Sequence, residues 1–353
     1  MRIAVLPGDG IGQEVMNECL KVLNLIEKKY NLEIRIEYGE IGGVAIDKYG
    51  TPLPEETINI CLKAEAVLLG SIGGPQWDDL PPEKKPEIGG LLKLRNLLRL
   101  YANLRPIILF EKLKDISPLA NKNLKGEIDI LIIRELSSGI YYGYPRALNQ
   151  AEAYDTMRYQ RSEIERIARL AFKIATKRRK KVTSVDKANV LYSSMLWREV
   201  VEKVAHDYPE VTLNHLYVDN AAMQLILNPG QFDVILTSNL FGDILSDEGA
   251  ALVGSLGLCP SASIGKINLY EPVGGSAPDI AGKGVANPMA QILCLALMFE
   301  YSFKMQSISK AIWRAVEMTI NNGFRTPDIS KGKINPVETS LIGDQVCEYL
   351  KSL

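Results

Sequence analysis

Residues 1–28 read MRIAVLPGDGIGQEVMNECLKVLNLIEK. The β-branched and apolar run Ile3–Leu6 predicts a strand, the cluster Pro7–Gly12 a tight glycine turn, and Gly12–Lys28 an amphipathic helix. One strand, a turn and a helix in immediate succession open an α/β protein. The turn resembles a dinucleotide fingerprint only in part. Gly8 and Gly10 have the spacing, but Gln13 stands where a third small residue would let helix and strand pack closely, so a Rossmann motif is rejected and a tight turn beside a site is expected.

The same alternation continues outward from this unit. Strands are predicted at Leu32–Tyr38, Ala66–Leu69, Ile128–Ile133, Lys181–Val185, Val211–Val218 and Phe232–Leu236. Helices are predicted at Ser162–Lys177, Leu191–His206, Asn287–Phe303, Ser307–Asn321 and Glu338–Leu350. A chain of 353 residues exceeds the size at which one core stops growing, which predicts two domains. Tyr141–Tyr159, rich in Tyr and broken by Gly143 and Pro145, fits no helical period; it is either a surface β-hairpin or an arm that pairs subunits.

Charge and cysteines exclude several classes of function. With 41 basic against 42 acidic side chains, the chain lacks the basic excess that neutralises phosphates, so no nucleic-acid partner is expected and Lys177–Lys181 reads as a solvated helix end. Five widely spaced cysteines form no CxxC pair and fit reduced thiols in a cytoplasm. The N-terminal stretch has no apolar export signal, and the most apolar segment, Ile292–Phe299, is far too short to span a bilayer, so a cytoplasmic protein without membrane contact is expected.

Several residue groups suit chemistry. Arg95, Arg99 and Arg105 lie in LRNLLRLYANLRP, and Arg134 follows the apolar run IDILII; converging guanidinium forks imply a substrate with more than one carboxylate, whereas each arginine alone reads as a surface or ion-pair residue. Asp243 and Asp247 stand four apart on one helix face, with Asp219 expected at the end of LNHLYVD; they suit a hard divalent ion or, equally, complement a helix dipole. Lys187, after a strand and beside Asp186 and Asn189, suits a proton carrier or a surface position. The long loop GGSAPDIAGKGVANP, Gly274–Pro288, has a composition suited to wrapping a ligand with backbone groups.

Taken in order, LPGDGIG, PEIGGLLKLR, LYANLRP, IRELSSGIYYG, SVDKANVL, YVDNAAM, TSNLFGDILSDEGA, GSLGLCPSAS and GSAPDIAGKGVANP resemble the decarboxylating β-hydroxyacid dehydrogenases, the isocitrate/isopropylmalate dehydrogenase family, over essentially the whole chain. The resemblance implies that family's two-domain, non-Rossmann α/β fold. Residues 1–99 and 254–353 would form the larger domain with the cofactor loop, and 100–253 an inserted smaller domain bearing the dimer interface and a projecting β arm at 141–159, with the site in the cleft between them. It implies NAD-dependent oxidative decarboxylation of 3-isopropylmalate to 4-methyl-2-oxopentanoate in leucine biosynthesis. Malate or tartrate, homoisocitrate and isocitrate enzymes share the arginines and aspartates, and a ligand-binding regulatory subunit is the non-enzyme alternative. By the family's pattern Arg95, Arg105 and Arg134 bind the substrate carboxylates, and Leu91 meets the substituent at C3. Asp243 and Asp247, with Asp219 from the other subunit of a homodimer, would hold Mg2+ or Mn2+ and face the substrate; Lys187, also from the partner, would be the base and Tyr141 the acid. NAD would be held by Gly275, Ser276, Ala277, Asp279, Ile280 and Asn287, with Asp279 on the ribose hydroxyls and Glu87 near the nicotinamide ribose. One departure stands out: Gly274 replaces the family's frequent His before Gly-Ser-Ala-Pro, removing a packing partner of the adenine.

Overall fold

The computed structural model of the protein describes residues 1–124, 126–332 and 334–353. Its strands are β1 (Arg2–Gly8), β2 (Arg35–Tyr38), β3 (Ala66–Ser71), β4 (Ala102–Ile108), β5 (Asp129–Glu135), β6 (Ala147–Leu148), β7 (Ala153–Tyr154), β8 (Lys181–Asp186), β9 (Thr212–Tyr217), β10 (Val234–Thr237), β11 (Pro260–Ile264) and β12 (Asn268–Pro272). Its helices are α1 (Gly12–Lys29), α2 (Gly43–Tyr49), α3 (Glu55–Lys63), α4 (Lys93–Leu97), α5 (Arg161–Ala175), α6 (Tyr192–Ala205), α7 (Val218–Leu227), α8 (Asn239–Leu252), α9 (Met289–Tyr301), α10 (Gln306–Asn321), α11 (Pro327–Ser330) and α12 (Thr339–Ser352). The chain divides into two compact units, one of residues 1–100, 110–116 and 254–353 and one of 101–109 and 117–253. Residues 110–116 lie inside the stretch expected to be inserted, yet they cluster with the first unit. Arg325 ties them there, donating to Lys112 O at 2.6 Å and standing 3.6 Å from Asp115.

In the first unit the strands run in the order β2-β1-β3-β12-β11, parallel except for the antiparallel pair β11 and β12. β1 and β3 are nearly continuous apolar runs because both faces are covered. α9 packs on β11 and β12, and on α1 and α10. Every residue from Met289 to Phe299 is buried, so its apolar character all round the helix marks a central helix rather than a membrane span. No helix among the described residues is long and apolar enough to cross a membrane.

In the second unit the order is β4-β5-β10-β8-β9, with β4 antiparallel to β5 and the rest parallel. α5 packs against α6 and α7 against α8, and together they cover β5, β8 and β10. The segment 141–159 carries a two-residue antiparallel ladder, Ala147 opposite Tyr154 and Leu148 opposite Ala153, with Leu148 85 % exposed. A β-hairpin this short buries little of its own.

Several elements escaped the periodicity. β4 contains Pro106, and β11 reads PSASI, where Ser261 and Ser263 are buried although serine seldom marks a strand. Arg134 was expected after a strand and lies within β5. Asp219 was expected to end a strand; β9 stops at Tyr217, and Asp219 sits in the first turn of α7. Its carboxylate there complements the helix N-terminus.

Candidate functional site

The second unit gathers five of the expected site residues. Asn103 pairs with Arg134 across β4 and β5, and Arg105 lies two residues further along β4, so Arg105 and Arg134 share one face of the sheet. β10 runs parallel to β5 with Thr237 opposite Arg134, and the chain then turns directly into α8 beside that arginine. Arg134, 2 % exposed, donates from Nε and Nη2 to Asn239 Oδ1 at 3.0 and 2.8 Å, and from Nη1 to Asp243 Oδ1. Tyr141 Oη donates to the other oxygen of Asp243 at 2.8 Å, and the Arg134 guanidinium lies 5.6 Å from the Tyr141 ring centre. Arg105, 6 % exposed, donates to Asn103 Oδ1 at 2.6 Å and Ser246 Oγ at 2.6 Å, and stands 3.4 Å from Asp247 and 3.5 Å from Asp243.

Two buried guanidiniums therefore face two carboxylates one helical turn apart. Burial raises the Asp247 carboxyl, against the pull of Arg105. Burial also raises the Tyr141 phenol above its ordinary range, helped by the Asp243 carboxylate that accepts its proton. The phenol is thus neutral at physiological pH and available as a proton donor.

Lys187 and Asp219 form a pair of their own in this unit. Lys187 follows β8 directly and its Nζ donates to Asp219 Oδ1 at 2.7 Å, which holds that carboxyl below its usual range. The turn is fixed by Asp186, 1 % exposed, which accepts from Ala188 N at 2.9 Å and from Arg198 at 3.0 and 2.8 Å. Asp186 is thereby committed to the turn rather than to Lys187. Among the described residues no three His, Cys, Asp or Glu side chains of one chain converge on a metal position. Asp243 and Asp247 supply two hard oxygen ligands of the kind Mg2+ or Mn2+ takes, so these two fit such an ion.

The first unit carries the glycine turn and the glycine-rich loop. Gly8 and Gly10 adopt φ of 71° and 55°, which an L side chain resists, and a Cβ on Gly10 would lie 2.0 Å from Ser276 O. Ile11 N donates to that same oxygen at 2.8 Å, so the turn docks on the loop. Between the turn, the loop and α9 lies a cavity of about 370 Å³, walled by apolar side chains that include Ile11, Val15, Leu256 and Ile280. Gly274, Gly275, Ala277, Ile280 and Asn287 line it, whereas Ser276 is buried against the turn and Asp279 stands exposed beside it. Asn287 donates to Asp328 at 3.0 Å and accepts from Met289 N at 3.0 Å.

Glu87 and Leu91 sit on a π-helical turn, Pro86–Leu92, that leads into α4. Such turns are rare and often sit at functional positions. Glu87 is exposed with its carboxylate against Gly73, and Leu91 is half-buried. Arg95 is buried and paired with Glu271 at 2.6 Å. Arg99, in the left-handed conformation at the exposed end of α4, joins neither group. Sequence reasoning missed Asn103, Asn239, Gly242, Ser246, Glu271 and Asp328; all but Asn103, which accepts from Arg105 two residues on, matter through a contact far away along the chain. The one local signal was TSNLFGDILSDEGA itself, which already held Asn239, Gly242 and Ser246 beside the two aspartates.

The sequence profile of the family described as isocitrate/isopropylmalate dehydrogenase matches residues 2–346. The chain is 62 % identical over 353 residues to a 3-isopropylmalate dehydrogenase of Thermotoga maritima, covering 100 % of both chains. It is 54 % identical over 357 residues to one of Aquifex aeolicus, covering 100 % of this chain and 98 % of that one. Among solved structures, isocitrate dehydrogenase from Methylococcus capsulatus superposes with a TM-score of 0.87 at 34 % identity, over 99 % of each chain.

Proposed function

Because the chain belongs to the isocitrate/isopropylmalate dehydrogenase family, we propose that it catalyses the NAD-dependent oxidative decarboxylation of 3-isopropylmalate to 4-methyl-2-oxopentanoate, a step of leucine biosynthesis. The substrate follows the full-length relatives at 62 % and 54 % identity rather than the isocitrate enzyme at 34 %. The observation that carries the chemistry is the pair of buried arginines, Arg105 and Arg134, set against Asp243, Asp247 and Tyr141 at the solvent-facing side.

Charge balance supports a dianionic substrate taken together with a divalent cation. The two buried arginines already face two aspartates, so a dianion alone would bring surplus negative charge to the cluster around them, which a dication offsets. Asp243 and Asp247, with Asp219 of a second copy, would hold the ion, which would supply positive charge at the substrate oxygens, and NAD+ would supply the hydride acceptor for C2. Arg134 and Arg105, with Arg95 from the first unit, grip the carboxylates and fix the substrate's orientation. Lys187 of the second copy accepts the C2 hydroxyl proton. Tyr141, kept neutral by burial, returns a proton to carbon after CO2 has left. Gly275, Ala277, Ile280 and Asn287, which line the first unit's cavity, hold the cofactor together with Ser276, Asp279 and Glu87, and Leu91 meets the isopropyl group.

This reading requires a homodimer. Exposed apolar side chains in the second unit support one: Tyr192 at 87 %, Ile244 at 58 % and Leu227 at 52 %, together with Leu148 on the hairpin. The expected compartment is the cytoplasm, in keeping with five free cysteines. The test is NADH formation with a panel of 2-hydroxy diacids in the presence of Mg2+ or Mn2+. Turnover highest on 3-isopropylmalate is expected; preference for isocitrate, or no turnover on any diacid, would overturn the proposal.

A further inference from the structure

Arg134 occupies a slot built by the first turn of α8. Its Nε and Nη2 both donate to Oδ1 of Asn239, at 3.0 and 2.8 Å. Its stem crosses Gly242, where an added Cβ would lie 2.7 Å from both Cβ and Cγ of Arg134. Asn239 is 0 % exposed, and its other hydrogen bonds are also internal: Nδ2 donates to Ser138 O at 2.9 Å and the backbone N–H to Tyr159 Oη at 2.9 Å. The amide therefore has a fixed orientation before any ligand arrives.

The partner's neutrality matters as much as its place. A buried guanidinium needs acceptors, and a carboxylate at position 239 would satisfy the same N–H groups while adding a second negative charge to the one Asp243 already presents at Nη1. The amide satisfies them and adds none. The acid next to Arg134 in sequence, Glu135, points the other way, as neighbours on a strand must. It accepts from Ser137 N at 2.9 Å, Ser137 Oγ at 2.5 Å and Ser138 N at 2.9 Å, bracing the turn that leads to Tyr141. Asn239 holds the carbonyl of that same turn, so one amide registers both the arginine and the approach to the tyrosine.

We propose that Asn239 and Gly242 are positioning residues for recognition of the substrate carboxylate, holding Arg134 in one orientation through a neutral acceptor that adds no second carboxylate to Asp243 in competition with the substrate. The inference rests on the role given to Arg134 above. The experiment compares Asn239→Asp, Gly242→Ala and Arg134→Ala with the unmodified dimer. It measures binding of 3-isopropylmalate with Mg2+ by calorimetry, KM for NAD+ and the thermal midpoint. Arg134→Ala should weaken dicarboxylate binding by about a hundredfold. Asn239→Asp and Gly242→Ala should each weaken it by about tenfold or more, with KM for NAD+ held within about twofold. Adding Asn239→Asp to Arg134→Ala should cost nothing further, because the residue acts through the arginine. If Arg134→Ala loses binding while Asn239→Asp keeps it, or if Asn239→Asp harms NAD+ and dicarboxylate alike, the inference falls and the functional reading stands. Unchanged binding in Arg134→Ala would overturn the functional reading itself. Asn239→Asp preserves side-chain volume and decides the matter even if Gly242→Ala does not fold.

Discussion

Gly274→His should tighten NAD+ binding by about fivefold. Gly274 lines the first unit's cavity and is not in the left-handed region, so an L side chain meets no backbone penalty there. A Cβ would touch only Leu256 Cβ, at 3.3 Å, a contact that a shift of a few tenths of an ångström relieves. Stacking a ring on a base contributes about 1–3 kcal/mol, and the low end applies because Gly274 is only half-buried and Leu256 beside it is 43 % exposed. A gain of about 1 kcal/mol corresponds to ~5-fold in Kd. Gly274→Ala is the control. It removes the glycine's freedom in the unfolded chain, which stabilises by about 0.4–1 kcal/mol, but it offers no ring. Titration of each purified protein with NAD+, alongside urea unfolding, separates the two effects. Similar Kd values for the histidine and alanine variants, or a weaker complex with histidine, would refute the stacking argument and the placement of the adenine beside residue 274.

The unmodified enzyme should prefer NAD+ to NADP+ because the Asp279 carboxylate repels a 2′-phosphate; Asp279→Ala should shift the kcat/KM ratio toward NADP+ by about fivefold or more, and equal use of both cofactors by the native enzyme would contradict this. Mixing inactive Lys187→Ala with inactive Tyr141→Phe subunits should restore part of the activity, since a hybrid dimer assembles one intact site; proven subunit exchange with no turnover would count against shared sites. Leu91→Ser should lower kcat/KM for 3-isopropylmalate and raise it for isocitrate, whose third carboxylate costs several kcal/mol to desolvate against leucine, and a ratio that did not move would assign the substituent to another wall. Asp9, 1 % exposed, accepts from Gly43 N at 2.9 Å, Val44 N at 2.8 Å and Gly73 N at 2.7 Å, so Asp9→Ala should cost about 2 kcal/mol or more of unfolding free energy; a loss below ~0.5 kcal/mol would show that these amides find other acceptors.

The readable features were those whose physics is confined to a few neighbouring residues. The opening β1, turn and α1 were legible because the apolar period changes from a strand's to a helix's across Pro7–Gly12, and because only glycine takes the left-handed φ there without cost. Asp243 and Asp247 were legible as a pair because four residues are one helical turn. The motif series also conveyed the family. Boundaries that depend on packing moved: the helix expected at Asn287–Phe303 is Met289–Tyr301, and the strand expected at Leu32–Tyr38 begins at Arg35.

What only the tertiary structure decided is which side chains hold the charged ones. Arg134 and Asn239 are 105 positions apart, and they meet because β5 and β10 pair in the register that sets Arg134 beside Thr237, just before α8 begins. Arg95 and Glu271 are 176 positions apart, and neither has a local feature that points to the other. β11 and the buried serines within it form a strand through their neighbours, against their own propensity. Periodicity and backbone preference act over one or two turns of chain. Strand register is set instead by the burial of whole apolar faces, which belongs to the assembled unit and to no single segment of sequence.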